Sequence, residues 1–312
     1  MSWSEGYFTD VNYTHGYYKQ LNPALLRLAV LAGGFAPPQH DTGNYLELGF
    51  GQGVSVNFHA AATSATYWGI DFNPAHVANA RELAAASGAA VQLSEESFGE
   101  FAARADLPDF DYIVLHGIWS WISNENRDTI VDLIRRKLKT GGIVYVSYNV
   151  YPGWAPYVPI RQLMSLFKDK VGDITGAERG ISGAVQFTKD VFSAAADYYK
   201  DVPALAQHLE SLDSRDTSYI AHEYLNADWK ISTFAEVSAQ LSGAKLTYAG
   251  PTRLLENIAP FRFTPDGQKM LSQIGDPVLR ETTKDFLTNQ MFRCDVYLKG
   301  ARRIPHGELL RL

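Results

Sequence analysis

Two carboxylates in the first quarter of the chain are spaced to hold the two polar ends of one elongated ligand. Glu47 stands two residues before the first glycine of Gly49-Phe50-Gly51-Gln52-Gly53, and Asp71 follows it by 71 − 47 = 24 residues. The run Tyr45–Leu48 reads as a buried strand feeding the glycine turn. A dinucleotide fingerprint asks for G-x-G-x-x-G around a pyrophosphate, but Val54 occupies the third glycine position. S-adenosylmethionine has no phosphate; its amino-acid tail carries an ammonium that a carboxylate can meet directly or through water. Glu47 suits that ammonium, and Gly49, Gly51 and Gly53 let the backbone come close. Asp71 ends a second strand, Thr66–Asp71, near the separation at which an acid accepts bonds from a ribose diol. Phe72 and Asn73 follow it into the same set. Asn73 also reads as an N-cap, Pro74 as the first helical residue and Gly88 as the residue after the helix. A plain capping or turn acid is the alternative for Asp71.

Composition narrows the partners. The 312 residues are 46% hydrophobic, enough for one large or two modest cores, and carry a net charge of −6 without a basic run that could track nucleic acid. Nucleic acid is therefore disfavoured as a substrate. Cys294 is the sole cysteine, which suits a reducing cytoplasm and leaves no cysteine-rich metal site. No signal pattern and no membrane-length apolar run is expected. The eight histidines are scattered without metal-ligand spacing, so no metal is expected.

The elements that must position these residues alternate. Tyr7, Phe8, Tyr13, Tyr17 and Tyr18 read as an ordered aromatic arm, with Tyr13 and Tyr17 as candidates to fold over the cofactor and a simple packing arm as the alternative. Tyr18 is a third such candidate beside Tyr13 and Tyr17. A helix from Asn22-Pro23 to Gly33-Gly34, the helix from Pro74 to Ser87, a third strand at 90–93 and a fourth at 111–116 follow. A helix over 124–138 ends in a turn at Thr140-Gly141-Gly142, before a fifth strand at 143–148. This alternation predicts an α/β fold, a doubly wound Rossmann-like sheet. Candidate helices near 159–170, 185–200, 203–213 and 231–242 precede strands at 245–250 and 292–299. The reading is a seven-stranded sheet with a helical insertion between strands five and six: residues 1–150 plus 244–300 as the cofactor domain, 151–243 as a helical lid, and 301–312 as a tail. A separate helical domain after a five-stranded one is the runner-up.

The motif set resembles class I S-adenosylmethionine-dependent methyltransferases. It is most similar to the bacterial group with a methyltransferase regulatory domain, which includes rickettsial protein-lysine methyltransferases. The resemblance rests on Leu46–Gly53, His116–Trp121, Ser147–Trp154, His222–Asn226 and Phe292–Val296. It implies a cytoplasmic methyltransferase using S-adenosylmethionine, with the loop after strand three near the adenine: Ser97 bonding its amine and Phe98 covering its ring. The acceptor stays open, an N or O atom on a protein side chain, a glycan or a small molecule, and a homodimer is an allowed assembly.

Methyl transfer is an in-line displacement, so the protein must align the acceptor, exclude water and remove a proton where the acceptor carries one. His116, at the end of strand four, has two readings, lining the cofactor's methionine portion or acting as a base; a packed histidine is the plain alternative. Trp119 and Trp121 are candidate channel walls or core. Tyr148, Asn149, Tyr151 and Trp154, around Pro152-Gly153, combine aromatic faces with hydrogen-bonding groups and are candidates to position the acceptor; an aromatic turn leading to the lid is the bland reading. A non-catalytic cofactor-binding or regulatory module is the alternative function, and a nicotinamide enzyme is disfavoured by the glycine spacing.

Overall fold

The computed structural model describes residue 7 and residues 13–38, 43–171, 177–194 and 203–309. Phe8 and the end of the helix expected over 185–200 lie outside them. Helix α1 (Pro23–Ala32) starts where Asn22 Oδ1 accepts the Ala24 N–H at 2.9 Å and Pro23 fills N1, where no intrahelical N–H bond is lost. Strand β1 (Asn44–Leu48), α2 (Val54–Ala62), β2 (Thr66–Asp71), α3 (Pro74–Ser87), β3 (Val91–Glu95), α4 (Phe98–Ala103), β4 (Phe110–Leu115), α5 (Asn124–Lys137) and β5 (Leu138–Asn149) then alternate. Asn73 caps α3 by accepting from Ala75 N at 3.0 Å, and Gly88 ends it in the left-handed conformation. The expected turn at Thr140-Gly141-Gly142 is instead part of β5. The β4–β5 register jumps from Phe110↔Leu138 to Tyr112↔Ile143, and Gly141 takes φ +86° to absorb the extra residues as a bulge.

After β5 come α6 (Val158–Val171), α7 (Ala177–Ala194), α8 (Pro203–Leu212), α9 (Thr217–Tyr224) and α10 (Phe234–Ser242), then β6 (Leu246–Pro251) and, beyond further short helices, β7 (Phe292–Lys299). Helix α9 escaped the sequence reading. So did the helices Pro265–Gln273 and Pro277–Thr288 between β6 and β7. The sheet has seven strands in the order β3-β2-β1-β4-β5-β7-β6, with β7 antiparallel to both neighbours and the other strands parallel. The order reverses between β1 and β4, so a crevice opens beyond their carboxyl ends.

Each sheet face has its own core. One packs Leu46, Ile113, Val146 and Tyr148 against α4, α5 and α10; the other packs Tyr45, Val114 and Tyr145 against α1, α2 and α3. Helices α6 to α9 close around a third core that includes Met164, Leu205, Ile220 and Tyr224. Each fully buried Leu, Ile or Phe side chain is worth about 1.5–3 kcal/mol, so three separate cores mean three cohesive layers. The segment after α9 is stitched to the turn after β4 and to the end of β5: Lys230 N donates to Ser120 O at 2.7 Å and Ser232 N to Asn149 O at 3.1 Å. Residues beyond β7 also return to the sheet domain through a bridge between Phe35 and Arg303. Among the described residues no helix is long and apolar enough to cross a membrane.

Arg293 ties the antiparallel strand to its surroundings. Buried on β7, it donates to Asp295 and Asp285 at 2.7 Å each, to Tyr248 at 3.0 Å and to Glu281 at 3.2 Å. Its removal would leave these carboxylates packed together without their cation. Arg293→Met should lower unfolding free energy by about 3–5 kcal/mol. A urea melt that stays within 1 kcal/mol of the parent, on the order of one ordinary hydrogen bond, would show that the cluster is not structural.

Candidate active site

The carboxyl end of β1 delivers Glu47 to the floor of a cleft, and β2 delivers Asp71 beside it. Asp71 Oδ2 accepts the Gly51 N–H at 2.8 Å, while Oδ1 accepts the Asn73 N–H at 3.0 Å and lies 3.2 Å from His76 Nδ1. One carboxylate thus fixes both the glycine loop and the turn that opens α3. Gly51 needs its φ of +57° to present that N–H. Gly53 serves differently: a Cβ there would lie 2.3 Å from Ala80 Cβ, so its smallness lets α2 pack on α3, and it does not line the cleft. Asn73 is the α3 cap, and it too lies behind the lining residues.

Glu47 is the anomaly of this floor. It is 3% exposed, and its Oε2 is buried without a hydrogen-bond partner. Burial, reinforced by the charge of Asp71, pushes its carboxyl up to about 8. A buried carboxylate left unpaired costs stability, and a cation delivered into the cleft would remove the cost. The cleft encloses about 1040 Å³ of space, open solvent at its mouth included, between Gly49, Gly51, Phe72, His76, Glu96, Phe98, Ile118 and Trp121. Ser97 lines it, but its hydroxyl and N–H are engaged in the α4 capping box with Glu100 and its carbonyl accepts from Phe101 N. Its groups are spent on the helix start, and Phe98 and Glu96 are the side chains on that wall. These features fit S-adenosylmethionine: an unpaired acid for its ammonium, an acid beside a glycine turn for its ribose, and an aromatic wall for its adenine.

The N-terminal arm closes the cleft. Tyr18 N donates to Ser55 Oγ at 2.9 Å, and its ring tilts over His116 at 4.3 Å. Gln52 Nε2 donates to Tyr13 O at 3.0 Å. Tyr7 stacks on His222 at 5.3 Å and meets Phe72 edge-on, while Tyr13 meets His222 edge-on at 5.0 Å. Tyr17 turns away, 44% exposed, with its hydroxyl 3.3 Å from His59 Nε2; it packs on α2 outside the cleft.

Behind the arm lies a second chamber of about 950 Å³, again counting open solvent, lined by Asn149, Trp154, Tyr219, His222, Glu223 and Phe292. Tyr7, Tyr13, Thr14, His116, Gly117 and Trp121 line both spaces, so they form the junction between them. His116 Nδ1 lies 2.7 Å from Tyr145 Oη and 3.3 Å from Ser147 Oγ, which fixes the ring. Burial, with a smaller push from the Arg253 charge, lowers it to about 4, so the imidazole is neutral near pH 7.

The four candidates at the end of β5 separate. Asn149 faces the chamber and donates from Nδ2 to Glu223 Oε1 at 2.9 Å. Tyr148 does not face it: successive strand residues point to opposite faces, and its hydroxyl donates to Asp295 at 2.7 Å inside the core. Tyr151, 37% exposed, lines neither space. Trp154 lines the chamber wall. Trp119 is fully buried in the core, its carbonyl accepting from Arg127 Nε at 2.9 Å, whereas Trp121 reaches the junction. The sequence reading placed Tyr7 only in the aromatic arm and Glu223 only within the His222–Asn226 run, and it missed His76 and Tyr219. Among the described residues no group of three or more His, Cys, Asp or Glu side chains stands together as a metal site.

The comparisons with known proteins meet this geometry. Residues 46–142 match a family model described as a methyltransferase domain, and residues 216–299 one described as a predicted methyltransferase regulatory domain. An uncharacterized protein of Synechocystis sp. is 40% identical over 96% of this chain and 59% of its own length; one from Rickettsia prowazekii is 26% identical over 97% and 55%. PKMT2 from Rickettsia typhi, solved in complex with AdoHcy, superposes with a TM-score of 0.78 at 25% identity, over 96% of this chain and 57% of that one. The chain therefore spans less than two thirds of the length of these relatives.

The Glu47 cost has a testable sign. Its folded pKa lies above its unfolded value, so its proton-linked stability is fully present below about pH 4.5 and lost as pH rises through about 8. Glu47→Gln should therefore raise the melting temperature of the ligand-free protein by a few degrees at pH 8.5, and by much less at pH 5. A gain that is equal at both pH values, or a loss at pH 8.5, would remove the unpaired-charge account.

Proposed function

We propose that this chain, which carries an S-adenosylmethionine-dependent methyltransferase domain followed by a methyltransferase regulatory domain, moves a methyl group to a nitrogen or oxygen acceptor that approaches through the second chamber. The observation that carries this reading is the shared wall of His116, Gly117, Tyr13 and Trp121 between the cleft and the chamber. The AdoHcy complex of the relative supports the cofactor class, and the unpaired Glu47 oxygen and the Asp71–Gly51 bond support the cleft as its side.

When bound, S-adenosylmethionine supplies an electrophilic methyl group. The rest falls to the chain. Glu47 holds the ammonium end and, on binding, loses its unpaired-charge cost. Asp71 accepts from the ribose while keeping the glycine loop in shape. Phe72 and Phe98 supply apolar walls, and Tyr7, Tyr13 and Tyr18 exclude water. His116, neutral and fixed through Nδ1, is placed at the junction to accept a proton or to orient an acceptor. Helices α6 to α9, with their own core, act as a lid over the acceptor side. Of the two acceptor atoms nitrogen suits the chamber better, because aromatic faces and one acid converge there.

Incubating the protein with methyl-labelled S-adenosylmethionine and a cell lysate, then separating protein, glycan and small-molecule fractions, tests the reading. Label should enter one fraction in proportion to enzyme. Tight cofactor binding without incorporation into any fraction would favour a non-catalytic binding module. Asp71→Ala should weaken S-adenosylmethionine binding by about 10–100-fold, the loss of a charge-assisted hydrogen bond. Calorimetry giving an affinity within threefold of the parent would rule out that role.

A further inference from the structure

Glu223 has no part in holding the cofactor; it is the one acid among the described residues lining the chamber, and no step above is assigned to it. It sits on α9, inside the stretch matched as a regulatory domain, yet its side chain faces the chamber that opens onto the junction. Asn149, the last residue of β5, donates to its Oε1 at 2.9 Å and so ties it to the sheet that carries the cofactor cleft. We propose that the regulatory-domain segment builds the acceptor half of the active site, with Glu223 as the group that pairs with an amine acceptor and takes its proton. The proposal rests on the methyltransferase reading and names a residue role within it.

The surroundings favour a cation over a hydroxyl. Tyr7 and Tyr13 of the arm, Tyr219 and His222 of α9, and His116 across the junction face the same space as Glu223, and no Lys or Arg is among the described residues lining it. Arg161 of α6 is the nearby cation, but its guanidinium donates to the Asn226 carbonyl and lies over the Trp229 ring at 4.7 Å. Aromatic faces around one acid attract an ammonium and give a hydroxyl no equivalent gain. Burial pushes Glu223 up to about 8, against the lowering effect of the Asn149 amide, the Trp229 indole and the Arg161 charge. The group can therefore exchange a proton near neutral pH. The step balances: the ammonium N–H proton passes to the Glu223 carboxylate, and the freed nitrogen lone pair forms the N–C bond as the C–S bond breaks, its electron pair staying on sulfur. The carboxyl then returns its proton to solvent through the chamber.

The probe is n-butylammonium, titrated by calorimetry into the full chain saturated with S-adenosylhomocysteine, in two buffers of different ionisation enthalpy. At pH 7 binding should release about one proton per amine, because the free carboxyl is mostly protonated and the paired one is not; above about pH 8.5 the release should fall below half. Glu223→Gln should weaken amine binding at least tenfold and abolish the release, with S-adenosylhomocysteine affinity within threefold of the parent. If that variant does not fold, the parent's pH series alone decides. Amine binding that is unchanged in Glu223→Gln, proton release independent of pH, n-pentanol binding as tight as the amine, or no amine binding to a chain that binds S-adenosylhomocysteine would each overturn the proposal. A chain that fails to bind S-adenosylhomocysteine at all would instead overturn the methyltransferase reading beneath it.

Discussion

The Asp71 carboxylate is the constraint on which the cleft depends. Its two oxygens accept the N–H of Gly51 from the loop after β1 and the N–H of Asn73 from the loop after β2. These loops leave the neighbouring parallel strands β1 and β2, beside the point where the sheet order reverses between β1 and β4. A carboxylate bonded to two backbone amides is rigid and charged at once. It can therefore shape the glycine turn and still present lone pairs to a ligand diol. Glu47, two residues before that turn, is left without a partner for its inner oxygen. The fold thus carries one satisfied acid and one unsatisfied acid side by side, and the second is destabilising until a cation arrives.

The division between sheet and helical block gives the site its two sides. While α10 joins the sheet core, helices α6 to α9 pack around a core of their own. Their contacts with the sheet near the site run through a few directional bonds, Ser232 to Asn149 and Asn149 to Glu223 among them. Such an arrangement allows the block to shift as a unit while the cofactor side stays fixed. The aromatic arm, bridging Phe72 of the cleft and His222 of the block through Tyr7, spans that division.

Much of this was legible in the residues. Glu47, the glycines and Asp71 were readable because strand ends, turns and caps are local, and their chemistry follows from short spacing. The seven strands were readable as short runs of strand-forming residues between turns, whichever way each one pairs. What failed was direction. Tyr148 and Asn149 are adjacent and equally plausible by residue type, but only one can face the crevice on a strand, and the face was not fixed by the sequence nearby. Trp119 and Trp121 divided in the same way between core and junction. Ser97 was readable as a polar group in the right loop, but its hydroxyl closes a capping box whose partner, Glu100, lies three residues on. Glu223 was the hardest case: its role depends on α9 folding back onto the end of β5, 74 residues earlier in the chain.

The proposed methyl transfer requires one geometry, a cofactor cleft that meets an acceptor chamber at His116 and Tyr13. A crystal structure with sinefungin, which carries an amine in place of the transferable methyl, tests it most directly. The account predicts its amino-acid ammonium beside Glu47, its ribose at Asp71, and the methyl-mimicking amine at the His116–Tyr13 junction, directed into the chamber that holds Glu223. A ligand whose amine points away from that junction, or one seated in the second chamber itself, would contradict it.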